Sequence, residues 1–280
     1  MRISNGVKII TSSIIKKLKL SKPSSRKREN GRLLIIAGSD KYFGALVYAI
    51  KAASRIVDLI YVLTTEDNKK LIEKMKLKTA EFMPISSFPP LLRGEIKGKV
   101  DFDAILIGPG MGVSSHTKNL VRQVLKSKLK AVLDADALNV TDGKMMRLLN
   151  HQHILTPHAR EFRRLFKLKP TPQNVEQMVK KYKCTIVLKG PIDYIANTDK
   201  GIWQNQTGNA GMTKGGTGDV LAGLIAAFYA TNDAFTSTAA GVYLNGAAGD
   251  NLYKKVGAFY NAEDLTEQVP LTLNKLTAKS

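Results

Sequence analysis

Short apolar runs that alternate with helical segments are the feature that most constrains how this chain can fold. The run RLLIIAG at residues 32–38 precedes helical spacing over 42–58 and a second apolar run at 59–63. Runs of this length are typical of strands that are buried on both faces. Further strands are predicted at 104–107, 131–133, 153–155 and 185–188, a hairpin at 192–204, and further helices at 115–126, 159–166, 219–230 and 237–253. The alternation predicts an α/β fold with a mostly parallel central sheet between two layers of helices.

The length of the chain favours one large domain. It has 280 residues, of which 44% are hydrophobic, and this is enough to bury one large core. We interpret residues 31–280 as a single domain and residues 1–30 as a basic lead-in. Pro23, Asn30 and Gly31 would break any long helix there. The lead-in is also too short to form a domain of its own, since domains usually exceed about 50 residues.

The charge of the chain allows two interpretations. With 43 basic and 23 acidic residues, the net charge is +20. Such a balance is typical of nucleic-acid-binding proteins, but it also suits a solvated surface that attracts anionic nucleotides. The densest basic stretch, residues 16–28, has no aromatic side chain that could stack on bases. No helix-turn-helix or zinc-finger pattern occurs, so a basic nucleic-acid-binding protein is kept only as the alternative from another class.

Cysteine content and hydropathy predict the compartment. The single cysteine, Cys184, excludes an intrachain disulfide. No apolar run approaches the roughly 20 residues that span a bilayer, and the N-terminus lacks the pattern of a secretory signal. We therefore predict a cytoplasmic protein with no membrane partner.

The glycine-rich segment NQTGNAGMTKGGTGD at residues 205–219 leads into an apolar helix. Gly215, Gly216 and Gly218 allow the backbone to turn sharply and to approach a ligand closely. Backbone N–H groups at a helix start lack intrahelical partners, so this loop predicts an anion site that suits a transferring phosphoryl group. It is not a Walker loop, because Lys214 precedes the glycines.

Several acidic and histidine side chains have two interpretations each. Asp219 lies at the predicted helix start, where it is either a helix cap or a general base. Asp134 and Asp136 follow a strand, where they either begin a turn or support a metal. His151, His153 and His158 have no cysteine or carboxylate cluster at ligand spacing, so we do not predict structural zinc.

The glycine-rich segment also carries a family resemblance. Residues 205–212 (NQTGNAGM) and 215–219 (GGTGD) closely resemble the signature of the ADP/ATP-dependent NAD(P)H-hydrate dehydratases, which belong to the ribokinase-like superfamily. Other matching segments follow in the expected order: AGS at 37–39, GPGMG at 108–112, LDADAL at 133–138, LTPH at 155–158 and VLKG at 187–190. GTGD alone would indicate only the superfamily, whereas the ordered set is far more specific.

The resemblance implies a ribokinase-like three-layer α/β/α fold and a hydro-lyase activity. Members use ADP or ATP, with Mg²⁺, to dehydrate the S epimer of NADHX and NADPHX, the hydrates of NADH and NADPH. They phosphorylate the ring hydroxyl and then eliminate phosphate. The resemblance also implies a homo-oligomer, with tetramers among its members, and a separate epimerase that acts on the same metabolite. It leaves open the choice between ADP and ATP and between the two hydrates.

The resemblance further assigns roles to individual residues. Asp219 resembles the catalytic base, and Gly216 and Gly218 resemble the anion hole around the transferred phosphate. Glu161 resembles the acidic residue that holds Mg²⁺ through water. The implied nucleotide-binding residues are Lys189, Gly190, Pro191, Ile192, Asp193, Asn209, Gly215, Thr217 and Gly218. The implied substrate-binding residues are Ala45, Gly110, His158 and Asp219.

Two features depart from the family pattern, and one rival enzyme remains. Leu46 stands where a proline is usual, and residues 54–60 differ from the usual sequence near the substrate side and the subunit contact. The rival is a small-molecule kinase of the same superfamily, of the hydroxyethylthiazole or hydroxymethylpyrimidine type. It would share GTGD and the fold, but the segments NQTGNAGM and LTPH favour the dehydratase.

Overall fold

Eleven strands form one sheet in the computed structural model, which describes residues 3–4, 7–66, 68, 70, 82–85 and 102–278. The strands are β1 (Ile3–Ser4), β2 (Val7–Ile9), β3 (Arg32–Ile36), β4 (Leu59–Leu63), β5 (Met83–Pro84), β6 (Ala104–Ile107), β7 (Ala131–Leu133), β8 (His153–Leu155), β9 (Thr185–Leu188), β10 (Asp193–Asn197) and β11 (Gly201–Asn205). Their order across the sheet is β1-β2-β11-β10-β9-β8-β7-β6-β3-β4-β5.

The central part of this sheet is parallel, as predicted. All neighbours from β5 to β9 run parallel. The predicted hairpin forms β10 and β11, which continue the sheet in antiparallel pairing after β9. Parallel neighbours need crossover connections, which are usually helices, and this explains the alternation in the sequence.

Helices cover both faces of the sheet. They are α1 (Phe43–Ala53), α2 (Ser115–Lys126), α3 (Asp136–Val140), α4 (Gly143–Met146), α5 (Ala159–Phe166), α6 (Pro172–Tyr182), α7 (Thr217–Thr231), α8 (Ala234–Val256) and α9 (Ala262–Thr277). Alternate strand residues face opposite layers. Leu33 and Ile35 join a core with residues of α1, α7, α8 and α9, whereas Leu34 and Ile36 join a core with α2, α3, α5 and α6. The predicted three-layer α/β/α class is confirmed.

Some element bounds differ from the prediction. The helix predicted over 42–58 ends at Ala53, and Asp58 instead accepts hydrogen bonds from the backbone N–H groups of Arg28 and Asn30. Leu46, at the position that departs from the family, is fully buried on α1. Four helices were not predicted, namely α3, α4, α6 and α9. The two longest of these have readable start signals. Thr171 caps α6 ahead of a proline, and Asn261 forms a capping box at the start of α9.

Part of the segment interpreted as a lead-in belongs to the sheet and its core. Strand β2 pairs in parallel with β11, and a 3-10 helix (Ser12–Lys17) follows it. Ile10, Ile14 and Ile15 are buried in the core that contains α8 and α9. The many basic residues of this segment made its three buried isoleucines difficult to predict from the sequence. The division into a lead-in and one domain stays a prediction.

The carboxyl edge of the parallel strands has a topological switch point. The chain runs from β3 to β4 and β5 on one side of β3 and then crosses to β6 on the other side. Ligands of open α/β sheets bind in the crevice at such a point. Gly108, after β6, has a φ of +125°, and a Cβ there would lie 1.9 Å from the carbonyl oxygen of Asp134. Only glycine allows the turns after β6 and β7 to pack this closely.

No helix among the described residues is long and apolar enough to cross a membrane.

We predict that Ile15→Ala lowers the free energy of unfolding by about 2–5 kcal/mol, the usual cost of truncating a buried isoleucine. Ile15 is 1% exposed. Urea denaturation measures the change, and the neighbouring exposed residue Lys16 supplies the control variant Lys16→Ala, which should stay within about 0.5 kcal/mol of wild type. An unchanged midpoint for Ile15→Ala would show that this segment does not stabilise the core.

Candidate active site

A buried ion pair joins the carboxyl ends of three neighbouring strands. Lys189 follows β9, and its Nζ donates a hydrogen bond to Oδ1 of Asp134, after β7, at 2.7 Å. Thr156, after β8, donates its hydroxyl to the same oxygen at 2.6 Å. Asp134 is 2% exposed, and a charge this deeply buried requires such partners. Asp134 therefore does more than begin a turn, since it is the buried partner of Lys189.

Lys189 is surrounded by carboxylates. Burial acts to lower the pKa of Lys189, but the negative charges of Asp134, Glu161 and Asp219 raise it above its ordinary value. Lys189 therefore stays protonated. Burial also raises the pKa of Glu161, and the charge of Lys189 opposes this rise. The three carboxylates around Lys189 outnumber it, so the cluster can also balance the positive charge of a metal ion that binds together with a ligand.

Asp219 is the third residue of α7 and is half-buried. Burial raises the pKa of its carboxyl to about 7, and the negative charge of Asp134 adds to this rise. Helix α7 begins after Gly216, and in the described structure no side chain caps it, so Asp219 does not serve as a cap. A carboxyl with a pKa near 7 is suited to accept a proton at neutral pH.

The glycine loop before α7 has a fixed shape. Gly216 has a φ of +95°, and a Cβ there would lie 2.7 Å from the ring of Tyr48, so only glycine fits. The hydroxyl of Thr217 donates to the carbonyl oxygens of Met212 at 2.6 Å and Lys214 at 2.9 Å. These bonds position the amides at the start of α7, where the helix dipole favours an anion.

The segment at residues 205–209 connects the turn after β9 to α8. Asn205 donates a hydrogen bond to Asp193 at 3.1 Å, and Asp193 accepts a second one from the backbone N–H of Gly190. Burial raises the pKa of Asp193 to about 6. Asn209 donates to Asp250 of α8 at 2.9 Å. The segment that resembles the family signature therefore acts in this structure as a scaffold for the turn at 189–193.

A cavity of about 730 Å³ opens beside the ion pair. Of the predicted nucleotide-binding residues, seven line it: Lys189, Gly190, Pro191, Asp193, Asn209, Thr217 and Gly218. Ile192 and Gly215 do not line it: Ile192 lies between the lining residues Pro191 and Asp193, and Gly215 lies between Thr213 and Thr217, two residues from each. His158, predicted to contact the substrate, also lines this cavity. The sequence did not indicate the apolar lining residues Leu221 and Val242.

The other predicted substrate residues, Ala45, Gly110 and Asp219, lie outside the cavity lining. Ala45, on α1, and Gly110, in the loop after β6, lie next to each other. A Cβ on Gly110 would lie 3.1 Å from that of Ala45. Asp136 accepts a hydrogen bond from the backbone N–H of Gly112 at 2.8 Å, which holds this loop. The negative charge of Asp136 also raises the pKa of Asp219. Asp219 is thus close to both regions: its chain neighbour Gly218 lines the cavity, and Asp136 holds the loop that contains Gly110.

His158 and Glu161 form a capping box at the start of α5. His158 Nδ1 accepts hydrogen bonds from the backbone N–H groups of Arg160 and Glu161, and Glu161 accepts one from the N–H of His158 at 2.8 Å. Burial and the charge of Lys189 lower the pKa of His158, so its ring is neutral at pH 7. Glu161 therefore also has a structural role, as the acidic member of this capping box.

Comparison with known proteins identifies the family. Residues 33–271 match the sequence model for NAD(P)H-hydrate dehydratase. The chain belongs to this family. It is 40% identical over 92% of its length to a bifunctional NAD(P)H-hydrate repair enzyme of Methanocaldococcus jannaschii, of which it covers 51%. The chain thus spans about half the length of this and several other curated relatives that it matches.

Two further dehydratases match over nearly their whole length. An ADP-dependent (S)-NAD(P)H-hydrate dehydratase of Nitrosopumilus maritimus is 33% identical, with 94% of this chain and 95% of the relative covered. A crystal structure of the ADP/ATP-dependent NAD(P)H-hydrate dehydratase of Bacillus subtilis, co-crystallised with ATP and Mg²⁺, superposes with a TM-score of 0.82 at 26% identity. That match covers 98% of this chain and all of the other. The ribokinase-like fold expected for this family is confirmed.

We predict that Asp219→Asn stabilises the protein at pH 8 by roughly 2 kcal/mol but has little effect near pH 4. Folding raises the pKa of Asp219 from 3.8 to about 7, so the folded protein binds more protons than the unfolded chain between these values. Its stability therefore falls as the pH rises through this range, and asparagine removes that loss. The figure is about half of what the full pKa difference would give, because Asp219 is only half-buried and solvent screens its charge.

Urea denaturation at both pH values measures this effect, with Asp199→Asn as the matched control at an exposed position. Equal stability of wild type and Asp219→Asn at pH 8 would contradict the raised pKa.

Proposed function

We propose that this chain catalyses the ADP- or ATP-dependent dehydration of the S epimer of NADHX and NADPHX. The observation that carries the proposal is Asp219, whose pKa of about 7 and position beside the glycine loop suit a base for a phosphoryl-transfer step. The names of the two relatives that this chain covers over about nine tenths of their length or more support the choice of substrate. The name of the bifunctional relative, a NAD(P)H-hydrate repair enzyme, supports a role in the repair of damaged nicotinamide cofactors.

The nucleotide would lie in the cavity with its phosphates near Lys189 and Gly218. A Cβ on Gly218 would lie 3.9 Å from Lys189 Nζ, so the cation and the loop amides face one small volume. Both groups favour negative charge, and their position is fixed before any ligand arrives. We assign Gly216 and Gly218 to the anion hole and Lys189 to neutralising the phosphate charge.

The side chains here suit a Mg²⁺ ion that arrives with the nucleotide. Within the described residues, no three or more His, Cys, Asp or Glu side chains are grouped so as to hold a metal. Mg²⁺ commonly keeps several waters and binds through one or two carboxylates together with substrate phosphates. The buried carboxylates of Asp134 and Glu161 beside the phosphate region are suitable acceptors for such water. When bound, the ion would neutralise phosphate charge, and we keep Glu161 as its contact through water.

The reaction follows from the position of Asp219 between two groups of residues. We place the hydrated ring near Ala45, Gly110 and His158. Asp219 removes the proton of the ring hydroxyl, and the hydroxyl oxygen attacks the terminal phosphorus of ADP or ATP, releasing AMP or ADP. The C–O bond of the phosphorylated ring then breaks, phosphate leaves with the bonding electrons, and the adjacent carbon loses a proton. The double bond of NADH or NADPH is restored, since phosphate is a far better leaving group than hydroxide.

Further parts of the proposal concern partners and location. An enzyme that acts on the S epimer leaves the other epimer unrepaired. We therefore propose that a separate epimerase converts the other epimer into the S epimer. We also propose a cytoplasmic homo-oligomer, as the family resemblance implies. The sequence supports a reducing compartment, since Cys184 is the single cysteine and lies buried.

The decisive assay follows the absorbance band of reduced nicotinamide. Purified protein, NADHX and Mg²⁺ are mixed, and ADP or ATP is added in separate reactions. We expect a rise in absorbance that requires a nucleotide, and the more effective one identifies the phosphate donor. No rise with either nucleotide, from folded protein, would reject the dehydratase. A phosphorylated small alcohol that accumulates without elimination would instead support the rival kinase.

We predict that Asp219→Asn lowers turnover by about 10²-fold or more, the usual scale for loss of a general base. Because only the ionised carboxylate accepts a proton, wild-type turnover should rise with pH through about 7 and then level off. Asp199→Asn, at an exposed turn, should match wild type at every pH. Full activity of Asp219→Asn would remove this residue from the mechanism.

A further inference from the structure

Asn245, on α8, is one of the residues that line the cavity, and the residue is 5% exposed. Its side-chain Oδ1 is buried and has no hydrogen-bond partner among the described residues. Buried polar atoms in native proteins are almost always paired, so an exception requires an explanation. A ligand that donates a hydrogen bond to this atom would provide one.

The other polar side chains of the cavity are already engaged by the protein. Asn209 Oδ1 accepts hydrogen bonds from the backbone N–H of Gly211 and the hydroxyl of Tyr260, and Asp193 accepts bonds from Gly190 and Asn205. The two other unpaired buried atoms of the described structure belong to Gln152 and His153, which do not line this cavity. Asn245 is therefore distinct among these lining residues.

The cavity has a charged part and an apolar part. The charged part is formed by Lys189 and the start of α7, where phosphates belong. The apolar part includes Leu221, Met212 and Val242. Val242 and Asn245 are three residues apart on α8, so they lie on the same face of the helix. A flat apolar base placed against Val242 would bring its polar edge to Asn245.

We propose that Asn245 recognises the adenine base through a hydrogen bond from the exocyclic amino group to Oδ1. This inference rests on the proposed nucleotide-dependent function. A carboxamide pairs well with the amino group and ring nitrogen of adenine, since it offers one acceptor and one donor side by side. Asn245 thereby selects adenine nucleotides, while Lys189 and the glycine loop hold the phosphates.

The test compares two nucleotides that differ only in the amino group. ADP and purine riboside diphosphate share the ribose and phosphates, but the second has hydrogen in place of the amino group. Isothermal titration calorimetry measures both dissociation constants for wild type, Asn245→Leu and Asn245→Ala. The matched control is Asn251→Leu on the same helix, where Asn251 donates to Thr272 and does not line the cavity.

We expect wild type and Asn251→Leu to bind ADP about 5- to 10-fold more tightly than the analogue, the scale of one uncharged hydrogen bond. The Asn245 variants should bind both ligands equally. The ratio of the two constants within one protein cancels any general loss of structure, and Asn245→Ala covers a failure of Asn245→Leu to fold.

Two results would overturn the role of Asn245 and leave the nucleotide site intact: equal binding of both ligands by wild type, or an unchanged preference in the Asn245 variants. If wild type binds neither ligand, the nucleotide-dependent function itself fails together with this inference.

Discussion

The hydrogen-bonded ion pair between Lys189 and Asp134 is the interaction on which the rest of the site depends. It joins the turns after β7 and β9, and Thr156 adds the strand between them. Removing one partner of a buried pair typically costs about 3–5 kcal/mol, because a charge is left without compensation. The pair also sets the electrostatics, since Lys189 lowers and Asp134 raises the pKa of Asp219. A change to either residue would therefore alter both the shape of the site and the proton affinity of its base.

Tight turns at the carboxyl edge allow these charges to come together. Ala135 adopts a φ of +47° and a ψ of −115°, a conformation that residues with a side chain rarely take. This turn directs Asp134 to Lys189 and Asp136 to the backbone of Gly112. One strained residue thus places two carboxylates in different roles, and the close packing of Gly108 on the same turn holds it in place.

The sequence predicted the central strands well because strands buried on both faces leave continuous apolar runs. The four strands predicted at 104–107, 131–133, 153–155 and 185–188 have the predicted bounds. The structure of residues 1–30 was harder to predict, because the buried Ile14 and Ile15 stand beside exposed lysines. The pairing of β2 with β11 also spans almost 200 residues. Non-local pairing leaves no periodic pattern within either segment. For the site, GTGD indicated the anion loop and Asp219, but nothing in the apolar pattern of α8 marked Asn245.

The sequence by itself determined the α/β class, the family and the glycine loop that places Asp219 at the start of a helix. These properties depend on local periodicity and on short ordered motifs. The tertiary structure decided which charges meet, that Asp134 pairs with Lys189, that Asp219 is not a cap, and that its pKa lies near 7. Such properties arise from burial and from neighbours that are 30 to 85 residues distant in the chain, and a local pattern contains neither.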